Sequence, residues 1–420
     1  MIIVIFVLLL IIGAPIAVAI GLASFVAMMQ QGVSIDVFSR TIFAGIDSFT
    51  LMAIPFFIFA GDLMLAGGTS RRLIDFAKKL VGWTTGGLPI AGVMSSMLFA
   101  ALSGSSPATV AAIGGLMIPS LNDAGYSRKF AIGLMTTAGT LGIIIPPSIT
   151  LLVYGSSAEV SISDLFLAGI APGIFIGLVL IIVSYIISKR EGFKPEGRAS
   201  LGAVGKSFIS AIWGILLPVI VLGGIYFGIF TPTEAAAVAI FYSLIIGLFV
   251  YKELTVRRII DVTKKSVITS SMIMLVIAAS NVFSWYLTYE QIPANLASVF
   301  LEYANTEVVF LLLVIVILLL VGMFMDTSAA VLIFVPLFLP MVFELGIDPI
   351  HFGIIMIVAL SIGMITPPFG LNLFVASGIS KVSLTEVIKS TVPFILVMIF
   401  TLLVIAFFSE LSLFLLAVFE

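Results

Sequence analysis

The chain has 420 residues, of which 61% are hydrophobic and 10% are charged, and its mean hydropathy is +1.32. Soluble globular proteins are roughly 45–50% apolar, so this composition excludes a soluble domain and indicates an integral membrane protein. The formal net charge of −2 provides no strong field for nucleic acid, and the absence of cysteine excludes disulfides and thiolate metal sites and fits a bacterial inner membrane.

Nine stretches are long and apolar enough to cross a bilayer, because a membrane-spanning helix needs about 20 apolar residues. They are residues 2–29, 50–66, 129–157, 165–188, 211–229, 233–251, 266–286, 351–379 and 391–418. The first stretch lacks a basic segment before it and is too long for a signal peptide, so it is predicted to be the first span, with a kink at Gly13 and Pro15. Residues 88–121 and 308–343 do not fit a single span.

Basic residues concentrate in four short segments, which the positive-inside rule places in the cytoplasm. The segments are Arg71 to Lys79, Arg128 to Lys129, Lys189 to Lys206, and Lys252 to Lys265. The loops 158–164 and 287–307 contain no Lys or Arg and are predicted to lie outside. Their acidic residues are Glu159, Asp164, Glu290, Glu302 and Glu307. The loop 381–390 carries lysines and is predicted to return to the cytoplasm, whereas the loop 30–49 leaves the side of the N-terminus open.

Two proline pairs interrupt apolar stretches in matching contexts, "TLGIIIPPSITL" and "SIGMITPPFGLN". Pro146 and Pro147 correspond to Pro367 and Pro368, a shift of 367 − 146 = 221 positions. The same shift pairs Pro119 with Pro340, Gly125 with Gly346, Gly142 with Gly363, Ala108 with Ala329, and Ser156 with Ser377. The loop before the first copy is predicted inside and the loop before the second outside, so the copies are predicted to be inverted. Inverted repeats with broken helices indicate a secondary transporter whose site lies between them near the middle of the membrane.

The predicted organisation is one domain, 1–420, in three parts. The parts are a first repeat, 50–188, with a hairpin at 88–121 and a broken helix at 129–157; a connecting loop with scaffold helices, 189–265; and a second, inverted repeat, 266–418, with a hairpin at 308–343 and a broken helix at 351–379. Each repeat therefore combines one hairpin with one broken helix.

The two hairpins are predicted to be re-entrant. The limbs 88–102 and 108–121 reach about 22 Å each at 1.5 Å per residue, which is short of the roughly 30 Å hydrocarbon core, so the chain is predicted to turn back at "SGSSP" (103–107). Residues 308–343 repeat the pattern, with "MDTS" (325–328) at the turn. Backbone at membrane depth is tolerated only inside protein or along a wet cavity, so both tips are predicted to line the site.

Oxygen ligands gather at these breaks and tips. Each proline pair removes helical hydrogen bonds and frees carbonyls, and the tips add hydroxyls and a carboxylate. Such hard ligands suit a small cation, while facing helix N-termini favour an anion, so the two repeats predict a cation-coupled anion site. The candidate substrate-binding residues are Ser103, Ser105, Ser106, Pro146, Asp326, Thr327 and Asn372.

Several of these residues admit a purely structural interpretation. A proline pair by itself can be a kink, Asp326 can cap a water-exposed turn, and Asn372 can make a helix-packing hydrogen bond. Asp62 can be an interfacial side chain or a partner inside the membrane. The segment "TPTEAAAVA" predicts a capping box between Thr231 and Glu234 at a helix start, which is a structural feature.

Enzymatic motifs are missing from the sequence. His351 is the only histidine, so a histidine proton relay or a histidine-rich metal site has nothing to be built from. The chain contains neither a Gly-x-Ser-x-Gly elbow nor a His-Glu-x-x-His helix. The chain is therefore not predicted to be an enzyme.

Six motifs, in order along nearly the whole chain, resemble the large membrane subunit of the TRAP (tripartite ATP-independent periplasmic) transporters, the DctM-like members of the ion transporter superfamily. They are "GDLMLAGGTSRRLIDFAKKLVG", "SGSSPATVAAIGGLMIP", "GIIIPPSITLLVYG", "SISDLFLAGIAPG", "GIFTPTEAAAVA" and "ITPPFGLNLFV". The resemblance implies a sodium-driven importer of organic acids. The expected fold is an all-α polytopic membrane protein with an inverted repeat, two re-entrant hairpins, two discontinuous helices, and elevator-type scaffold and transport domains.

The resemblance also implies ligands and partners. Carried over by motif, a first sodium site would use Ser103, Ser106, Gly142, Ile145 and Pro147, and a second would use Asp326, Thr327, Gly363, Thr366 and Gly370. A soluble periplasmic binding protein would deliver the substrate, an organic acid anion of the C4-dicarboxylate or sialic acid type. A small four-helix membrane subunit is expected as a separate chain, because this chain begins directly with the large-subunit pattern.

Two other functions stay open at this point. One is a stand-alone symporter of the same superfamily, driven by sodium or protons and independent of a binding protein. The other is a channel lined by the hairpin tips. Uptake with and without a binding protein separates the importer from the symporter, and single-channel currents identify a channel.

Overall fold

The computed structural model describes residues 2–195, 197–295 and 306–419. Within these residues every regular element is helical, which confirms the all-α prediction. Glu302, predicted to lie outside the membrane, falls beyond the described residues.

The described chain forms ten helices from its start to the helix that follows the first proline pair. They are α1 Ile2–Ile11, α2 Ile16–Gln30, α3 Ile35–Ala44, α4 Ala53–Ala66, α5 Thr69–Val81, α6 Gly87–Ser103, α7 Ser106–Thr109, α8 Gly115–Asp123, α9 Arg128–Ala138 and α10 Ile149–Ala158. A π-helical turn, Val110–Gly114, joins α7 to α8, and a 3-10 turn, Gly139–Ile143, extends α9. The first hairpin thus consists of α6 and the limb 106–123.

The remaining described helices run from the middle of the chain to its end. They are α11 Ile162–Arg190, α12 Leu201–Tyr226, α13 Pro232–Ile245, α14 Val256–Tyr289, α15 Glu307–Gly322, α16 Thr327–Glu344, α17 Pro349–Gly363, α18 Leu371–Ser380, α19 Leu384–Phe407 and α20 Glu410–Phe419. The second hairpin consists of α15 and α16, and the second broken helix of α17 and α18.

Among the described residues, six helices are long and apolar enough to cross a membrane, or seven if Thr50–Ala66 and Thr69–Val81, which meet at a 66° bend, count as one span. Both broken helices are confirmed. The first is interrupted between Ile143 and Ile149, and the second between Gly363 and Leu371. The chain is therefore polytopic, while the membrane sides of its loops and the repeat boundaries stay predictions.

Two predicted spans are each divided into two helices, the first of them at the predicted kink. Residues 2–29 form α1 and α2, because Gly13 adopts a left-handed conformation with φ +82° and Pro15 has no N–H to continue a helical ladder. Residues 391–418 form the end of α19 and all of α20, because Phe408 leaves helical geometry at φ −122° and ψ 81°. Glycine and proline mark the first break in the sequence, whereas the second is marked only by the polar residues Ser409 and Glu410.

Helix α14 is the long element around which the site is arranged. It spans 34 residues and packs against α2, α3, α4 and the hairpin limb α16. A separate apolar cluster joins α1 and α2 to the end of α14, with Phe6 against Phe283.

The predicted capping box also forms, since Thr231 Oγ1 accepts from the Glu234 amide at 3.3 Å and Glu234 Oε2 accepts from the Thr231 amide at 2.8 Å.

Candidate functional site

The first hairpin tip lies directly against the first helix break. Gly104 ends α6 in a left-handed conformation with φ +56°, which lets the chain reverse without a Cβ penalty. The Ile149 amide, at the start of α10, donates to the Gly104 carbonyl at 3.4 Å. A Cβ on Gly104 would lie 3.0 Å from the Pro147 carbonyl oxygen, so the tip approaches the break as closely as glycine permits.

Hydroxyl and carbonyl oxygens converge where tip and break meet. Ser103 Oγ lies 3.0 Å from Thr109 Oγ1, which donates to the Ser105 carbonyl at 2.9 Å. Gly142 faces the same carbonyl, and a Cβ there would lie 2.6 Å from Thr109 Oγ1. The structure therefore brings Ser103 and Gly142 together with Pro147, and sequence reasoning missed Thr109, whose hydroxyl could have been found one helical turn beyond Ser105.

The second tip meets the second break in the same way. The Gly370 amide donates to the Met323 carbonyl at 3.0 Å. A Cβ on Gly370 would lie 2.8 Å from both the Met364 and Thr366 carbonyl oxygens, so these carbonyls converge beside it. At Gly363 a Cβ would collide with the backbone of Gly322, which means that α15 and α17 touch through main chain.

Asp326 caps the second hairpin limb. Its Oδ1 accepts from the Ser328 amide at 2.9 Å at the start of α16. The capping interpretation is therefore confirmed, and the capped helix end also lines a cavity. Thr366 lies in the second helix break, and its Oγ1 donates to Ile362 O near the end of α17 at 2.7 Å. Its oxygen keeps lone pairs for a cation.

The amide donors of the two tip contacts are related by the shift of the predicted repeat. Ile149 and Gly370, whose amides each reach a tip carbonyl in their own half, are 370 − 149 = 221 positions apart. This is the shift that relates the proline pairs, both of which contain a cis peptide bond. The accepting carbonyls, those of Gly104 and Met323, are 323 − 104 = 219 positions apart. The internal repeat stays a prediction.

Side chains also join each tip to the broken helix of the other half. Asn372 Nδ2 donates to Ser106 Oγ at 2.7 Å, and Thr150 Oγ1 lies 3.3 Å from Thr327 Oγ1. Ser106 and Thr327 are 327 − 106 = 221 positions apart, and Thr150 and Asn372 are 372 − 150 = 222 apart. The two contacts are therefore near-equivalent under the repeat, and they hold the halves together through hydroxyls and an amide.

Both hairpin tips, both helix breaks and one face of α14 line a cavity of about 600 Å³. This volume lies within the roughly 300–1,000 Å³ range of small-molecule sites. Four predicted substrate-binding residues line the cavity: Ser103, Ser105, Asp326 and Thr327. The other three, Ser106, Pro146 and Asn372, are buried and are not among its lining residues. Asn372 Oδ1 has no hydrogen-bond partner among the described residues.

An ion pair between Lys265 and Asp62 lines the same cavity. The sequence did not predict this pair. Lys265 Nζ lies 2.8 Å from Asp62 Oδ1, and Ser266 Oγ donates to Asp62 Oδ2 at 2.8 Å. Asp62 is therefore an ion-pair partner of Lys265, and its depth in the membrane stays a prediction. Lys265 ends the segment that is predicted to be cytoplasmic. Because α14 begins at Val256, Lys265 lies in the third turn of that helix.

Comparison with known proteins decides the family. The chain matches the description "Tripartite ATP-independent periplasmic transporter, DctM component" over residues 3–411. The chain belongs to the TRAP transporter large-permease family. It is accordingly a multi-pass protein of the bacterial inner membrane, and its relatives are named as transport proteins rather than enzymes.

Three relatives illustrate the range of TRAP permeases that the chain resembles. It is 44% identical over 411 residues to the isethionate TRAP permease DctMQ of Oleidesulfovibrio alaskensis, covering 97% of this chain and 65% of that one. It is 47% identical over 367 residues to the C4-dicarboxylate large permease DctM of Pseudomonas aeruginosa, covering 87% and 86%. The sialic acid large permease SiaM of Vibrio cholerae is 38% identical over 386 residues, covering 92% and 90%.

Two solved structures share the fold of this TRAP permease. The YdaH transporter of Alcanivorax borkumensis superposes with a TM-score of 0.64 at 15% identity and covers 88% of each chain. MtrF of Neisseria gonorrhoeae superposes with a TM-score of 0.59 at 14% identity, covering 90% of this chain and 85% of MtrF. At these identities the likeness concerns the arrangement of helices alone.

Proposed function

We propose that this TRAP permease imports an organic acid anion together with sodium ions, after a periplasmic binding protein delivers the acid. The observation that carries the proposal is the shared cavity, because both hairpin tips and both helix breaks meet at one hollow of suitable size. Unwound carbonyls and hydroxyls hold sodium in transporters of this design, and helix N-termini face the anion.

The charge of the cavity favours coupling to a cation. Asp62, Asp326 and Lys265 are the charged side chains among the described lining residues, which leaves a formal net charge of −1. An anion that entered alone would be repelled by this charge and by the membrane potential. Bound sodium reverses the sign of the local field, so anion and cation stabilise each other in the cavity.

The proposed sodium ligands follow the two tip contacts. The first site uses hydroxyls and carbonyls of Ser103, Ser106, Gly142, Ile145 and Pro147, and the second uses those of Asp326, Thr327, Gly363, Thr366 and Gly370. Ser106 and Thr327 also contact the opposite half. Filling one site therefore restrains the geometry of the other.

Sodium coupling also accounts for the direction of transport. Moving one charge through 100 mV corresponds to about 2.3 kcal/mol. Two sodium ions with one monovalent acid carry a net positive charge inward, so the potential drives import. We propose an elevator motion in which the tips and breaks travel as a unit against a scaffold that includes α4 and α14.

The proposed partners are a small four-helix membrane subunit and a soluble periplasmic binding protein. The isethionate relative is named DctMQ and is longer than this chain, which supports a large permease that works with a second membrane component. The named substrates of the relatives, isethionate, C4-dicarboxylates and sialic acid, are all acids. An organic acid anion is therefore the proposed substrate class.

Uptake by proteoliposomes that contain the assembled permease tests the proposal. Labelled isethionate, succinate and sialic acid are offered with and without the binding protein that holds each acid, under an inward sodium gradient or an equal potassium gradient. We expect accumulation only with sodium and the binding protein. Full-rate uptake without the binding protein would instead identify a stand-alone symporter, and uptake that ignores sodium would refute the coupling.

A pair of serine variants locates the dependence on sodium. Ser103→Ala with Ser106→Ala should raise the sodium concentration needed for uptake or abolish uptake. Ser120→Ala is the matched control, because Ser120 Oγ donates to Leu116 O within the same hairpin limb and does not belong to the tip. If uptake by the double variant and by Ser120→Ala depends equally on sodium, the proposed first sodium site is wrong.

A further inference from the structure

The ion pair between α4 and α14 has no role in the proposed sodium sites. We propose that Lys265 binds the acid group of the substrate inside the cavity, and that Asp62 competes with that group for the same ammonium. This inference rests on the proposed function and adds a residue on the scaffold to its anion site. The ligand chemistry is a carboxylate or sulfonate oxygen on a small organic anion.

Lys265 has the exposure and the free donors that such a role requires. Its side chain is 63% exposed, whereas the side chain of Asp62 is 14% exposed. An ammonium has three N–H donors, and the structure assigns one of them to Asp62 Oδ1. Lys265 is the one cationic side chain among the described residues that line the cavity, so an entering anion meets no other positive side chain there.

Helix α14 aims this lysine at the cavity. Lys265, Thr269, Met272 and Val276 all line the hollow, and their spacing of four, three and four residues places them on one face of a helix. Lys264 is exposed but is not among the described lining residues. The direction of Lys265 is therefore set by the helix and does not depend on a mobile loop.

Asp62 is held in place as the competing acceptor. Ser266 Oγ donates to its second oxygen at 2.8 Å, so both carboxylate oxygens have a partner and the carboxylate is fixed beside α14. The lysine can turn between Asp62 and a substrate carboxylate, because its head is exposed and its stem is flexible. Competition of this kind weakens the bound state and speeds release of the acid.

Competition predicts opposite effects for the two members of the pair. Lys265→Gln removes the attraction and should raise the Kd of the acid at least about 10-fold, which corresponds to about 1.4 kcal/mol. Asp62→Asn frees the ammonium and should lower the Kd while slowing turnover. A pair with a purely structural role gives impaired folding in both variants and no divergence in Kd.

The test measures binding of labelled isethionate, succinate and sialic acid to the assembled permease in nanodiscs at saturating sodium. Lys264→Gln is the matched control and should keep the wild-type Kd. Equal Kd values for Lys265→Gln, Lys264→Gln and wild type overturn the inference, even if sodium-dependent uptake persists. Failure of the wild type to bind or transport any of these acids with sodium refutes the proposed function, and with it the inference.

Charge rescue separates a lost charge from a lost fold. The chain contains no cysteine, so Lys265→Cys introduces the single thiol of this subunit. Its thiolate attacks aminoethyl methanethiosulfonate, a mixed disulfide forms, and methanesulfinate leaves, which places an ammonium about one bond farther out than in lysine. We expect this reagent to restore acid binding and the sulfonatoethyl reagent to fail; equal binding after both would overturn the inference. Wild-type permease treated with each reagent controls for thiols in the small subunit.

Discussion

Gly142→Ala tests whether the first hairpin tip must touch the first helix break for sodium to bind. The new methyl group would lie 2.6 Å from Thr109 Oγ1 and 2.7 Å from the Ser105 carbonyl carbon. Non-bonded heavy atoms make favourable contact at about 3.5–4.0 Å, so the tip has to retreat by roughly 1 Å. Groups that bind a ligand together tolerate displacements of about 0.5 Å. A shift of roughly 1 Å should therefore move the oxygens at this tip too far apart to contact one sodium ion together.

The magnitude follows from the strain that the methyl group introduces. Overpacking a well-packed contact costs about 1–3 kcal/mol. If sodium binding requires the native tip position, the same free energy is lost from binding. A coupling of that size corresponds to about a 5- to 150-fold change in affinity, so the half-saturating sodium concentration should rise within this range.

Sodium-dependent stabilisation of the purified permease measures this change. The stabilisation grows as the logarithm of the ratio of sodium concentration to Kd, and potassium keeps the ionic strength constant. Each variant is compared with its own sodium-free state, so a general loss of stability does not mimic a loss of affinity. Gly115→Ala is the control, because a Cβ there meets nothing within 4 Å. A wild-type sodium titration for Gly142→Ala would refute the reasoning.

Three further predictions concern the second tip, the contact between halves, and a structural cap. Asp326→Asn should change the free energy of unfolding by only a few tenths of a kcal/mol, since asparagine caps a helix as well as aspartate does. The same variant should weaken sodium binding at least about 10-fold. Asp348→Asn alters an equivalent cap on α17 and should change neither the free energy of unfolding nor the sodium affinity. Asn372→Ala and Ser106→Ala should show a coupling of about 0.5–3 kcal/mol in a double-mutant unfolding cycle, and additivity would contradict their hydrogen bond. Thr231→Ala should lower the free energy of unfolding by about 1 kcal/mol and leave sodium titrations unchanged; an altered sodium affinity would show that this cap is more than structural.

The parts of the site that could be predicted from sequence are those that proline and glycine encode within one turn. The proline pairs specify where the two helices break, and the 221-residue shift relates the halves before any contact is known. Asp326 caps α16 for the same local reason, since a carboxylate reaches an amide two residues ahead. These features depend on backbone geometry near the residue itself.

Composition and apolar length were less informative about where helices end. The break at Phe408 has no glycine or proline beside it, and the one proline of this stretch, Pro393, lies inside α19. The position of the break therefore depends on how α19 and α20 pack against their neighbours. The clustering of basic residues predicts Lys265 as part of a cytoplasmic segment. Because α14 begins at Val256, Lys265 lies on the helix face that lines the cavity.

Contacts between distant residues were decided by the tertiary structure. Asn372 pairs with Ser106 across 266 positions, and Lys265 pairs with Asp62 across 203. The sequence by itself determined a polytopic membrane protein, its two helix breaks and the oxygen-rich tips, because these follow from composition and from local backbone preferences. Only the folded arrangement decided which hydroxyl meets which amide and which carboxylate holds the lysine, because many polar side chains can serve as partners and packing selects one of them.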